Sequence, residues 1–403
     1  MMNEELYAKL NVLLGQISKS LSDIKKNGRK ARELKKSVEN SRKIVTEVLE
    51  QQLGGVSLEA QICISEIPDE DWLITARHII DYINDPFVPI NQYEIYFLDL
   101  TNYLLTTDKA KLLSNMLFSL NKLKENNFIV YRTFVLYFSR FDFWGSLDPD
   151  TGDFTTLNLR VDTLKHHAYD FLWLYIKTQD YISKRTLAAI LMSWADIQIE
   201  ALDVTHSIFM DYWEPDIFPD NKDDILVDLG AFTGDSIEKY VEVYGKGYKK
   251  IYAYEISDDS YNTLCQNIEE WGLHDVIPVK KGAGDSNKIM YIKECENSSA
   301  ANSLSNTGDV EHAVEIVRID NDIKDIPTFI KMDIEGSEKS ALRGCEHVIR
   351  RYHPKLAICT YHGYEDIWKI PSMIYEMNPE YKFYMRHYGG NLIPTEFVLL
   401  CKP

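Results

Sequence analysis

The sequence predicts an α/β protein. It reads as a doubly wound, Rossmann-like sheet with an antiparallel last strand, preceded by a mostly helical region and an N-terminal helix of coiled-coil type. Three observations carry this. From residue 224 onward, short apolar runs bounded by glycine, proline and charge alternate with segments of helical period, as buried parallel strands and their crossover helices require. The chain ends in two strand-like runs, 381–387 and 396–402, with no helical segment between them, so the last strand is expected to return as a hairpin. Residues 1–53 carry a separate apolar stripe. Three regions follow: 1–53, 54–220 and 221–403.

In the first region Leu6, Leu10, Leu13, Ile17, Leu21 and Ile24 recur at three- and four-residue steps. The pattern resumes after Gly28 with Leu34, Val38, Val45 and Leu49, and Gly54-Gly55 closes it. Such a stripe needs cover, which predicts a homo-oligomer assembled through this helix. Lysine and arginine crowd residues 19–43, either as a solvated face or as the partner of an acidic surface.

The second region is predicted mostly helical, with helical periodicity over 72–83 and 109–123. Residues 128–138 are β-branched and aromatic and predict a strand. Asp148 to Asp153 is a turn; its glycine is misplaced for a calcium loop and no acid closes twelve residues. His166-His167 opens a helical stretch to about Val204, and adjacent histidines face different ways, so they share no metal. Trp173, Tyr175, Tyr181, Trp194, Tyr212 and Trp213 are core aromatics or an aromatic wall for a ring substrate.

In the third region strands are expected at 225–229, 250–255, 276–281, 289–293, 312–319, 328–333, 355–361, 381–387 and 396–402, and helices at 234–244, 258–271, 336–350 and 364–377. The first strand ends in Asp228, and the turn Gly230-Ala231-Phe232-Thr233-Gly234 opens a helix. The second strand ends in Glu255. Doubly wound sheets bind ligands at the carboxyl ends of such strands, and a carboxylate there suits a ribose diol because it accepts two hydroxyl protons. The turn lacks the glycine that brings backbone against a pyrophosphate. A nucleoside without phosphates is expected, and S-adenosyl-L-methionine fits best. Ile256 and Ser257 would border its adenine.

Four blocks stand in order: Val227-Asp228-Leu229-Gly230-Ala231; Tyr252-Ala253-Tyr254-Glu255; Lys331-Met332-Asp333-Ile334-Glu335-Gly336-Ser337-Glu338; and Leu342-Arg343-Gly344-Cys345. Together they resemble the FkbM family of S-adenosylmethionine-dependent methyltransferases, over roughly 222–403. The resemblance implies O-methylation, of sugars, glycans or secondary metabolites. It implies cofactor contacts from Asp228, Gly230, Ala231, Gly234 and Glu255, and adenine contacts from Ala283 and Asp285, the latter equally readable as a turn cap.

An alcohol is a poor nucleophile until its proton is accepted, so a general base is expected. Asp333 and His362 end neighbouring strands and are the candidates, with Glu335 beside them or simply capping a helix. These three could also ligate a divalent cation. The acid-plus-asparagine pair of catechol-type enzymes is absent, however, and no metal is expected.

The net charge of −18 argues against nucleic acid as partner, since phosphate contacts need a basic face. The six cysteines have no zinc or C-x-x-C spacing. With no membrane-spanning run or leader, a cytoplasmic protein is expected. A nicotinamide-dependent oxidoreductase and a non-catalytic scaffold compete with the enzyme reading. The wrong glycine pattern counts against the first, and the intact Asp228, Gly230, Glu255 and Asp333 against the second.

Overall fold

A computed structural model describes residues 8, 11–12, 14–19, 31–53, 57–141, 144–220, 222–293, 303–305, 307–308, 312–390 and 395–403. The chain divides into two compact units. One comprises 1–126, 154–177 and 194–197; the other comprises 127–153, 178–193 and 198–403. Among the described residues no helix is long and apolar enough to cross a membrane.

The first unit is helical. Its helix Ala31–Leu53 packs on Leu58–Glu66 and Asp69–Asn84. Val38, Val45 and Leu49 of the predicted stripe are fully buried, and the Trp72 indole N–H donates to the Ser41 hydroxyl. This half of the stripe is therefore covered by the unit's own helices, and it does not require a second copy. Leu6, Leu10, Leu13, Leu21, Ile24, Gly28, Gly54 and Gly55 lie outside the described residues. The two adjacent histidines do face different ways. His166 Nε2 lies 3.6 Å from Glu66, and His167 Nδ1 lies 2.7 Å from the buried Asp170. Asp170 also meets His78 Nδ1 at 2.6 Å and the Thr75 hydroxyl at 2.8 Å.

In the second unit residues 128–138 are not a strand. Phe128–Arg140 is a helix, α1. The Asn127 side chain caps it by accepting from the Val130 N–H, and Tyr131, Phe134 and Phe138 fall on one buried face. Burial at steps of three and four outweighs the β-propensity of the same residues. The helical stretch expected from 166 to about 204 consists of Ala168–Lys177 in the first unit, then Tyr181–Asp196 and Glu200–Asp203.

The sheet begins with β1 (Ile225–Leu229), whose five residues are all buried. α2 (Asp235–Tyr244), β2 (Lys250–Tyr254), α3 (Asp258–Glu270) and β3 (Val276–Val279) follow. The chain then makes β4 (Gly282–Ala283), β5 (Lys288–Lys293), β6 (Ser303–Ser305) and β7 (Ala313–Val317). These four form a small separate sheet in the order β4-β7-β5-β6. The main sheet resumes with β8 (Phe329–Met332), α4 (Glu338–Gly344), α5 (Glu346–Tyr352), β9 (Lys355–Cys359), α6 (Asp366–Met377), β10 (Lys382–His387) and β11 (Phe397–Lys402). Its order is β10-β11-β9-β8-β1-β2-β3.

β1, β2, β3, β8 and β9 run parallel, and β11 inserts antiparallel between β9 and β10, as the terminal hairpin predicts. The helix expected over 336–350 is interrupted at Cys345 into α4 and α5. Gly344 at the break passes so near the Gly284 carbonyl that a Cβ there would sit 2.0 Å from its oxygen. Cys63, Cys345, Cys359 and Cys401 are buried free thiols.

Candidate active site

The strand order reverses between β1 and β8, and a cleft opens there at the carboxyl ends of the strands. It encloses about 450 Å³, within the roughly 300–1,000 Å³ usual for small-molecule sites. Its floor is the turn after β1. The Gly230 and Ala231 N–H groups both donate to the Tyr254 carbonyl, at 3.0 and 2.9 Å. This ties the turn to the end of β2, where Glu255 stands. Glu255 Oε2 accepts the Phe232 N–H at 2.9 Å and Oε1 accepts the Ser257 N–H at 2.7 Å. Each oxygen keeps a second lone pair, and the residue lines the cleft. Burial pushes the Glu255 carboxyl up, while those N–H groups hold it back.

Gly230, Ile256, Ala283, Asp333 and Glu335 also line the cleft. Ala231 is buried behind the turn, and Gly234 is the N-cap of α2. Asp228 lies beneath the floor, fully buried. Its Oδ1 is 3.1 Å from Lys331 Nζ, and its Oδ2 accepts the Ser236 hydroxyl. Lys331 Nζ also donates to the Gly230 carbonyl at 2.7 Å. Burial alone would lower the Lys331 ammonium; Asp228 and Asp333 outweigh it and raise it. Asp228 is thus a support of the turn rather than a cleft residue. For Asp285 the geometry favours the second of its two readings, the turn. It does not line the cleft: its carboxylate faces the Ser286 hydroxyl, Lys288 and Arg343, and its N–H donates to the Ser340 hydroxyl.

The other end of the cleft is acidic. Asp333 Oδ2 accepts the Tyr212 hydroxyl at 2.7 Å, and Oδ1 faces the Tyr361 hydroxyl at 3.4 Å. His362, 5% exposed, places Nε2 3.5 Å from Asp333 Oδ1 and 3.4 Å from Glu335 Oε2, with Nδ1 3.0 Å from Glu338 Oε1. Burial alone would lower the imidazole; Glu338, Glu335 and Asp333 outweigh it and raise it well above its ordinary value. Burial alone would raise Asp333; Lys331 and His362 outweigh it and hold the carboxyl down. Glu335 is pushed up to about 8, by burial first and by Asp333 and Glu338 against the pull of His362. Glu396, from the turn before β11, is pushed up to about 7 by burial and by Asp333.

Sequence reasoning missed Lys331, Glu396 and the wall built by α1 and Trp144. Tyr137, Phe141 and Trp144 line the cleft, and the Trp144 indole N–H donates to the Tyr361 carbonyl at 2.7 Å. Lys331 had a signal: a lysine inside a wholly apolar strand must meet a buried acid. The aromatic wall was hidden because its helix reads as a strand.

Residues 228–390 match the methyltransferase FkbM domain family. Methyltransferase FkbM of Methylobacillus flagellatus KT has a similar fold, with a TM-score of 0.51 at 24% identity, over 60% of this chain and 62% of that one. The chain thus spans about three fifths of that protein's length. A rRNA methylase from Streptococcus thermophilus aligns with 45% of this chain and 86% of its own, at 15% identity and TM-score 0.29. Fibrillarin of Aeropyrum pernix, with natively bound S-adenosyl-L-methionine, aligns with 55% and 76%, at 10% identity and TM-score 0.28. The last two alignments are too loose to bear on the reading. No curated protein matches the chain. The sheet order and the match over 228–390 agree, and this segment of the chain is similar to the methyltransferase FkbM domain family.

Proposed function

We propose that the domain is an S-adenosylmethionine-dependent O-methyltransferase acting on a hydroxyl of a sugar, glycan or secondary metabolite. The observation that carries the reading is Glu255: a carboxylate at the end of β2, fixed by two backbone N–H groups beside the glycine turn, with acceptor capacity left for a ribose diol. Bound there, the cofactor supplies an electrophilic methyl on a sulfonium. The chain's own residues hold and orient. Glu255 takes the ribose hydroxyls, Ile256 and Ala283 border the adenine, and the Gly230 turn lies beside the methionine end. Tyr137 and Trp144, stacked on each other, form an aromatic side of the cleft for an acceptor ring.

The acceptor's proton goes to Asp333. Asp333 lines the cleft, whereas His362 is buried with both ring nitrogens turned toward carboxylates of Asp333, Glu335 and Glu338. This favours one of the two bases left open by the sequence.

Calorimetry tests the cofactor. The protein is expected to bind S-adenosylmethionine and not NAD; the reverse preference rules the proposal out. Glu255→Ala removes charge-assisted hydrogen bonds of about 1.5–3 kcal/mol. That is an affinity loss of about ten- to a hundredfold, and an unchanged affinity sinks the assignment. Asp333→Asn is expected to keep cofactor affinity and slow methyl transfer by about a hundred- to ten-thousandfold, measured with labelled cofactor on fractionated acceptors. A near-normal rate would leave alignment alone to explain the chemistry.

A further inference from the structure

We propose that Asp333, Glu335 and His362 form a site for one divalent first-row cation of the Mn²⁺ or Zn²⁺ type at the acceptor end of the cleft. One ligand atom from each lies within 4.8 Å of the other two. The imidazole Nε2 stands 3.5 Å from Asp333 Oδ1 and 3.4 Å from Glu335 Oε2. Ligands about 2.1 Å from a common ion at a tetrahedral angle stand about 3.4 Å apart, and both nitrogen–oxygen edges match that spacing.

Groups outside the three orient them. Glu338, 1% exposed, faces Nδ1 at 3.0 Å while accepting the Ile334 N–H at 2.9 Å, and this turns Nε2 toward the two carboxylates. The Tyr212 hydroxyl fixes the far oxygen of Asp333 at 2.7 Å. A carboxylate behind a ligating histidine and a hydrogen bond behind a ligating carboxylate are the outer supports of metal sites.

Asp333 and Glu335 both line the cleft, so an ion has a path in and open positions facing the acceptor. Two oxygens and one imidazole nitrogen suit a first-row ion better than Mg²⁺, which prefers oxygen throughout.

At the acceptor the ion would bind the hydroxyl oxygen and ease loss of its proton. That role rests on the methyl-transfer reading, but ion binding does not. The test is therefore made without cofactor, so failure of either claim leaves the other standing. Full-length protein freed of metal by chelation is titrated with Mn²⁺ and followed by loss of the free-ion EPR signal. One site per chain is expected, with nitrogen coupling from His362 in the pulsed spectrum. Glu335→Gln and His362→Gln are each expected to weaken binding at least about tenfold, and Glu338→Gln by about ten- to a hundredfold. Glu346→Gln, a half-buried acid on α5 paired with Arg350, is expected to leave it unchanged. The proposal is overturned if the wild type binds no Mn²⁺ tighter than about millimolar, if nitrogen coupling is absent, or if folded Glu335→Gln and His362→Gln bind as the wild type does.

Discussion

Lys331→Met is expected to cost about 3–5 kcal/mol of stability, because it leaves a buried carboxylate without its counter-charge. Asp228 and Lys331 are 0% and 2% exposed and lie 3.1 Å apart, with the sheet on either side. The same ammonium also ties down the Gly230 carbonyl, so the turn under the cofactor should loosen with it. Urea unfolding followed by circular dichroism reads the effect as a lower midpoint at constant slope. Adding Asp228→Asn should recover part of the loss, since the stranded charge goes with its partner. A single variant as stable as the wild type would mean that the pair contributes nothing to the turn.

Gly230→Ala is expected to remove cofactor binding and to destabilise the domain. Gly230 has φ +81°, which alone strains an L-residue by about 1–3 kcal/mol. Its Cβ would also fall 1.8 Å from the Asp333 carbonyl oxygen. Backbone cannot yield there as a side-chain end would, so β1 and β8 must part at the reacting end. Calorimetry with S-adenosylmethionine and thermal unfolding check this. Wild-type affinity would show that the two strand ends separate without cost.

The sheet was legible because β1, β8, β9 and β11 are buried nearly throughout and their apolar runs stand out. Gly230, Glu255 and Asp333 were legible because strand ends converge in this topology whatever the side chains between them. Asp285 was not. It follows the two-residue strand β4, and whether its carboxylate turns into the cleft depends on Lys288 and Arg343, which lie on other elements. α1 was misread because Ile129, Val130 and Phe134 have strand propensities, and only tertiary burial at helical spacing decides otherwise. Val38, Val45 and Leu49 show the same limit. A stripe states that cover is needed, and it does not say whether the cover comes from the same chain or another.

The hydrogen bond from Trp144 to the Tyr361 carbonyl has a consequence for how the chain can be cut and recombined. This wall of the cleft is encoded some eighty residues before the first strand of the sheet. A fragment begun at residue 221 would lose that wall, and with it Tyr212 on Asp333 and the core residues Trp213, Ile217 and Phe218. On the proposed function, two proteins alike over 228–390 but unlike over 127–153 would keep the same cofactor turn and differ along one wall of the cleft. That wall could be exchanged as an upstream stretch, while Glu255 and Asp333 stay with the sheet.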